Sequence, residues 1–124
     1  MPDIVVKRIY DVLNEEDGYR VLVDRFWPRG VTKAKANLNG WAKDISPSND
    51  LRKWFGHRPD RFEEFKRLYL EELRSDERKR EKIIELVELG KSQKLTLLYG
   101  AKDSVHNHAV VLREELLHSL NGVN

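Results

Sequence analysis

The chain predicts an α/β fold: a small, at least partly parallel sheet flanked by helices, folded as a single layered domain over residues 1–124. Three observations carry this expectation. Apolar runs at 4–10, 19–24 and 95–99 have the length and content of strands. About seventy residues between the second and third runs carry helical spacing, and a further helical stripe follows the third. A chain of 124 residues with 40% apolar content can bury one continuous core, and no repeat, low-complexity tract or linker divides it.

Taken in order, Ile4 to Tyr10 forms the first strand, closed by the polar stretch Asp11 to Gly18 with its Asp17-Gly18 turn signal. Tyr19 to Asp24 forms the second. The link between them suits either a hairpin or a parallel connection, so the direction of the first strand stays open. Ser48, after Pro47, is the candidate N-cap of a short helix over Asn49 to Phe55. Phe62, Phe65, Leu68 or Tyr69, and Leu73 recur on one helical face. Ile83, Ile84, Leu86 and Val87 make a second stripe that ends near Gly90, a candidate C-cap. Leu95 to Tyr99, between Lys94 and Gly100, reads as a fully buried strand. Ala109, Leu112, Leu116 and Leu120 mark a terminal helix with its N-cap expected at Asp103 or Ser104.

Composition narrows the functional classes. With 23 basic and 21 acidic side chains the net charge of +2 does not itself argue for a nucleic-acid or membrane partner. Its distribution is more informative. From Arg25 to Lys43 the charged residues are Arg25, Arg29, Lys33, Lys35 and Lys43, and the first acid after them is Asp44. The absence of cysteine excludes disulfides, thiolate catalysis and thiolate metal sites. No window approaches the roughly 20 apolar residues of a membrane span, and Met1-Pro2-Asp3 lacks a basic leader region. A cytoplasmic protein with no membrane partner is expected. No phosphate loop, dinucleotide fingerprint or serine elbow occurs, and no cofactor is expected.

The stretch Asp24-Arg25-Phe26-Trp27-Pro28-Arg29-Gly30 follows a buried strand, and Pro28 and Gly30 stop it in a fixed turn. In open α/β sheets ligands lie outside the carboxyl ends of the strands, so this turn should face the groups after Leu98. Arg25, Trp27, Arg29, Tyr99, Lys102, Asp103 and Asn107 are the expected ligand-binding residues for a small phosphorylated or carboxylated anion. Asp24 and His108 are the groups that would move a proton if the site is catalytic. His106 and His108 would share a face on an extended strand but diverge by roughly 200° on a helix, so no metal site is expected. Plainer roles compete: an Asp24–Arg25 ion pair, core or lid packing for Trp27, Trp41 and Trp54, a lid contact or a merely exposed position for His57, and a place at the negative dipole end of the last helix for His118.

Two further classes stay open. A nucleic-acid-binding module would use segment 25–43, with Trp27 and Trp41 as stacking surfaces. A protein-interaction domain would expose an apolar patch on the helices between the second and third strands.

Asp24 to Gly30, then Ser46-Pro47-Ser48 with Leu51-Arg52-Lys53-Trp54-Phe55, then Leu97 to Asp103 with Asn107-His108-Ala109, resemble in that order the YeaO-like branch of the domain-of-unknown-function 488 family. The resemblance covers nearly the whole chain. It implies a compact bacterial or archaeal cytoplasmic α/β domain and no particular reaction. Other branches of that family carry cysteines where this chain has Tyr99 and Asn107, with a histidine at His108, so thiol chemistry proposed for them does not transfer here.

Overall fold

The computed structural model describes residues 3–122; Met1 and Pro2, read above for the absence of a leader, lie outside the described residues. Four strands, β1 (Ile4–Arg8), β2 (Tyr19–Leu22), β3 (Gly40–Trp41) and β4 (Leu95–Tyr99), pair in the order β1-β4-β2-β3. Every pairing is parallel. The helices are α1 (Lys33–Ala36), α2 (Asn49–Phe55), α3 (Phe62–Ser75), α4 (Glu77–Ser92) and α5 (His108–Leu120).

All five residues of β4 are buried, as an unbroken apolar run between two neighbours requires. Both Ile4 and Tyr19 lie opposite Leu95, which settles the direction of β1. Because β1 and β2 are parallel and separated by β4, the link at 9–18 runs back to the starting edge of the sheet instead of closing a hairpin. Asn14 caps a single 3-10 turn at Glu15–Asp17, and Gly18 follows with φ +67°. A Cβ at Gly18 would stand 2.5 Å from the Lys94 carbonyl oxygen, so only glycine brings the link this close to β4.

Alternation assigns the two faces. Ile4, Val21, Val23, Leu95, Leu97 and Tyr99 pack against helices, joined by Phe65, Tyr69 and Leu73 of α3, Leu86 of α4 and Leu112 and Leu116 of α5. On the opposite face Leu22 and Leu98 meet Ile9 and Ala36, with Trp27, Val31, Leu38 and Trp41 over them. The segment between β2 and α2 is therefore the lid of this second face. It also holds β3, which the sequence did not announce. Two residues carry no alternation, and the strand exists through pairing: Asn39 N–H donates to Arg20 O and Ala42 N–H to Leu22 O, each at 2.8 Å.

Three expectations for the helices need correction. The N-cap of α5 is Asn107, not Asp103 or Ser104; its side chain accepts from Val110 N–H. Helix α4 runs through Gly90 to Ser92, so Gly90 is no C-cap but a buried helical residue against Ile4 and Leu120. Ile84 belongs to no buried stripe and is 62% exposed. On the helices between β2 and β4, Trp54 and Ile84 are the large apolar side chains left exposed among the described residues. No helix among these residues is long and apolar enough to cross a membrane.

Candidate functional site

The strand ends are joined by Asp24. Val23 N–H still donates to Leu98 O at 3.0 Å, and one residue later the Asp24 carboxylate leaves the sheet, its Oδ2 accepting Gly100 N–H at 2.8 Å. A Cβ at Gly100 would lie 3.0 Å from that oxygen, so the missing side chain admits the carboxylate. Asp24 Oδ1 is sealed from solvent without a hydrogen bond of ordinary geometry; His108 Nε2, 3.3 Å away, faces it at ion-pair distance.

His108 opens α5, and Asn107 sets its position. Asn107 Oδ1 accepts Val110 N–H at 3.1 Å while its Nδ2 donates to Asp103 O at 2.9 Å. The His108 Nε2 atom lies 3.0 Å from Val23 O as well as near Asp24 Oδ1. Both neighbours only accept, so Nε2 carries hydrogen, and in the neutral ring Nδ1 holds the lone pair. Among the described residues Nδ1 has no protein partner. Behind the imidazole, Tyr69 packs edge-on at 6.3 Å and donates its hydroxyl to Ile45 O at 2.6 Å. Burial, with the nearby Glu72 and Asp24 charges, drives the Tyr69 phenol well above its ordinary value, so it is a fixed donor and not a proton carrier.

Helix α2 supplies the facing wall. Its N-cap Ser48 accepts Leu51 N–H and is fastened to α3 by the Glu72 carboxylate, which takes Ser48 N–H at 2.9 Å and Oγ–H at 2.5 Å. Phe55 stacks on Phe65 at 4.3 Å between ring centroids, giving an apolar floor. Gly56 and His57 close the helix with left-handed backbone, φ +53° and +57°, an uncommon conformation for a histidine. The half-open cleft has a volume of about 240 Å³ and is lined by Asp24, Arg25, Asn107 and His108 from the strand ends and α5 and by Arg52, Lys53 and His57 from α2 and its end.

Charge in this cleft is unbalanced. Arg25, Arg52 and Lys53 are cationic and Asp24 is the sole acid of the lining. Among the described residues neither Arg25 nor Lys53 makes an ion pair. Arg52 Nη2 donates to Asn49 Oδ1 at 2.7 Å and its guanidinium lies 5.0 Å from the Phe26 ring centre, while its Nε is sealed from solvent without a partner.

Of the residues expected from sequence, the fold gathers Asp24, Arg25, Asn107 and His108 around this cleft. The others lie outside its lining. Tyr99 is buried in the sheet, which raises its phenol above the ordinary value, with the Asp11 charge adding to the effect. Arg29 and Lys102 are exposed. Asp103 accepts His106 N–H and Val105 N–H, each at 2.9 Å, and then the His106 ring, which together hold its carboxyl down to about 2. Trp27 donates Nε1–H to Val31 O at 2.7 Å and meets Trp41 edge-on, beside a second hollow of about 300 Å³. His106 and His108 diverge to Asp103 and Asp24, and no group of three metal-binding side chains forms among the described residues. Sequence reasoning missed Arg52 and Lys53 and left His57 as a lid contact or an exposed residue; His57 lines the cleft. The available signal was position: Arg52-Lys53 occupies the polar face of a helix whose apolar face is Leu51 and Phe55.

The family model described as the inactive DUF488-N3 subclade matches residues 3–124. The chain is 44% identical over 114 residues to the uncharacterized protein YeaO of Escherichia coli, an alignment covering 92% of this chain and 96% of that protein. It is 38% identical over 111 residues to the uncharacterized protein Rv3073c of Mycobacterium tuberculosis and to Mb3100c of Mycobacterium bovis, covering 90% of this chain and 91% of each. No solved structure matches it at a significant level.

Proposed function

Since the chain belongs to the inactive DUF488-N3 subclade, in its YeaO-like branch, we propose that it binds a small phosphorylated or carboxylated anion in the cleft beyond β2 and β4, without turning it over. The observation that carries this reading is the set of uncompensated cations. Arg25 and Lys53 reach the cleft from exposed positions without an ion pair and outnumber its one carboxylate, so an anion there meets free cations, and the buried, unpaired Arg52 Nε is left as a donor with nothing to meet. The site lies where open parallel sheets receive ligands.

Binding without turnover fits the remaining groups. Asn107 is committed to capping and Tyr99 to the core, so neither of these positions offers a nucleophile. Asp24 is spent on Gly100 N–H and faces His108 Nε2, so its carboxylate is turned to the protein and not to a ligand. In this reading Asp24 and His108 position the cleft wall.

Thermal unfolding with inorganic phosphate, pyrophosphate and citrate tests the proposal. The wild-type chain should gain several degrees in Tm at saturating anion, and Arg25→Ala and Arg52→Ala should each lose most of that gain while unfolding near the wild-type temperature without ligand. Equal stabilisation of the variants, or none of the wild type by any of the three, would sink it.

A further inference from the structure

Resting on the anion cleft just described, we infer that the ligand is a nucleotide, its phosphate among Arg25, Arg52 and Lys53 and its planar base in the second hollow. The two cavities share a wall. Arg25 and Phe26 line both, and Trp27, Trp41, Lys43 and Asp44 complete the second. A small anion fills the first cavity alone; a phosphate that carries a ring fills both.

The second hollow is built from aromatic surface with its polar handles tied off. Trp27 Nε1–H goes to Val31 O and Trp41 Nε1–H to Asp24 O, each at 2.7 Å, so neither indole has a hydrogen left to donate. The rings themselves meet edge-on at 5.4 Å and 70°. Phe26 is 62% exposed, a large apolar side chain that the fold's own packing does not use. Arg52 lies 5.0 Å from its ring centre, and Phe26 lines the cleft and the hollow alike. Lys43 Nζ stands 4.4 Å from the Trp41 ring centre, and Asp44 is the acid of the hollow's lining. Aromatic faces take a base by stacking, and a cation with a carboxylate can meet its ring nitrogens and exocyclic amines. The basic segment 25–43 thus gives Arg25 to the phosphate and Trp27, Trp41 and Lys43 to the ring, while α2 supplies the other two phosphate cations.

The same chemistry is offered by a free mononucleotide or by the phosphorylated end of a single strand. Isothermal titration of the full chain at low salt with inorganic phosphate, ribose 5-phosphate, AMP, CMP and a 5′-phosphorylated tetranucleotide separates these. AMP or CMP should bind at least about fivefold more tightly than ribose 5-phosphate, the low end of what one stacked base contributes. AMP, and not ribose 5-phosphate, should quench tryptophan fluorescence. Phe26→Ala, at an exposed position, should bring the AMP to ribose 5-phosphate affinity ratio toward one, with an unchanged circular dichroism spectrum as the check on folding. A gain with the tetranucleotide that weakens steeply with salt assigns the nucleotide to a strand end; equal affinity assigns it to the free form. If ribose 5-phosphate binds and the nucleotides bind no better, the base site is wrong and the anion cleft stands. If nothing binds, both fall.

Discussion

The residue that ties most of the second face together is Asp17. Lys7 Nζ donates to both of its oxygens at 3.0 Å, Arg20 Nη1 donates at 2.6 Å and the Asn14 amide at 3.2 Å, while the rest of the Arg20 guanidinium holds Ala36 O. One carboxylate therefore links β1, the returning link, β2 and α1. Burial by itself would raise its pKa, but the hydrogen bonds from Lys7, Asn14 and Arg20 together outweigh that and hold it below the ordinary 3.8. The native carboxyl then binds its proton less readily than the unfolded one. Its stabilisation is complete above the ordinary carboxylate range and is lost as pH falls through the lower native value. Asp17→Asn should lower the unfolding free energy by about 3 kcal/mol at pH 7, because it leaves a buried guanidinium short of its counter-charge. Urea unfolding measures this, and the variant should show a shallower loss of stability below pH 4. From the sequence, Asp17-Gly18 read only as a turn.

At the scale of elements, helix ends were set by hydrogen bonds that composition does not reveal. Asp103, Ser104 and Asn107 are all good capping residues in the abstract, and the fold chose Asn107 because its side chain reaches Val110 N–H while Asp103 is occupied with the loop. Asn107→Ala should cost about 1 kcal/mol or more by chemical denaturation, whereas Ser104→Ala should stay within about 0.5 kcal/mol. Gly90 makes the opposite case. Glycine signals a helix end, yet α4 continues past it, and a Cβ built there meets Ile4 and Leu120 at 3.5 and 3.7 Å, ordinary contact distances. Gly90→Ala should therefore raise stability, by up to about 1 kcal/mol from helix propensity. A destabilised variant would mean that the packing at Gly90 is tighter than these contacts.

For the whole molecule, the cleft is where the parts meet: the turn after β2 supplies Asp24 and Arg25, α2 supplies Arg52 and Lys53, and α5 supplies His108. An anion that needs all three elements has affinity only for the native chain, so the proposed binding should couple to global unfolding. At a ligand concentration of 100 times Kd the stabilisation is about 2.7 kcal/mol, which for a chain of this size raises Tm on the order of 10 °C. A shift of that size that vanishes when α2 alone is altered, through Arg52→Ala, would identify the helix as part of the site and not as a bystander.

Read alone, the chain determined the α/β class, three of the four strands, the buried faces of α3 and α5, and the turn after β2 as the place where charge is displayed, because alternation, helical spacing and Pro-Gly punctuation are local and survive in one dimension. What only the tertiary structure decided was which charges share a cavity. Arg52, Lys53 and His57 lie more than twenty residues from Asp24 and some fifty from His108, and nothing local in the chain predicts that Glu72 will draw Ser48, and with it the polar face of α2, against the strand ends. The direction of β1 and the existence of β3 were likewise decided by pairing partners distant in sequence. Local propensities choose the elements; the burial of their apolar faces against one another chooses their neighbours, and so the site.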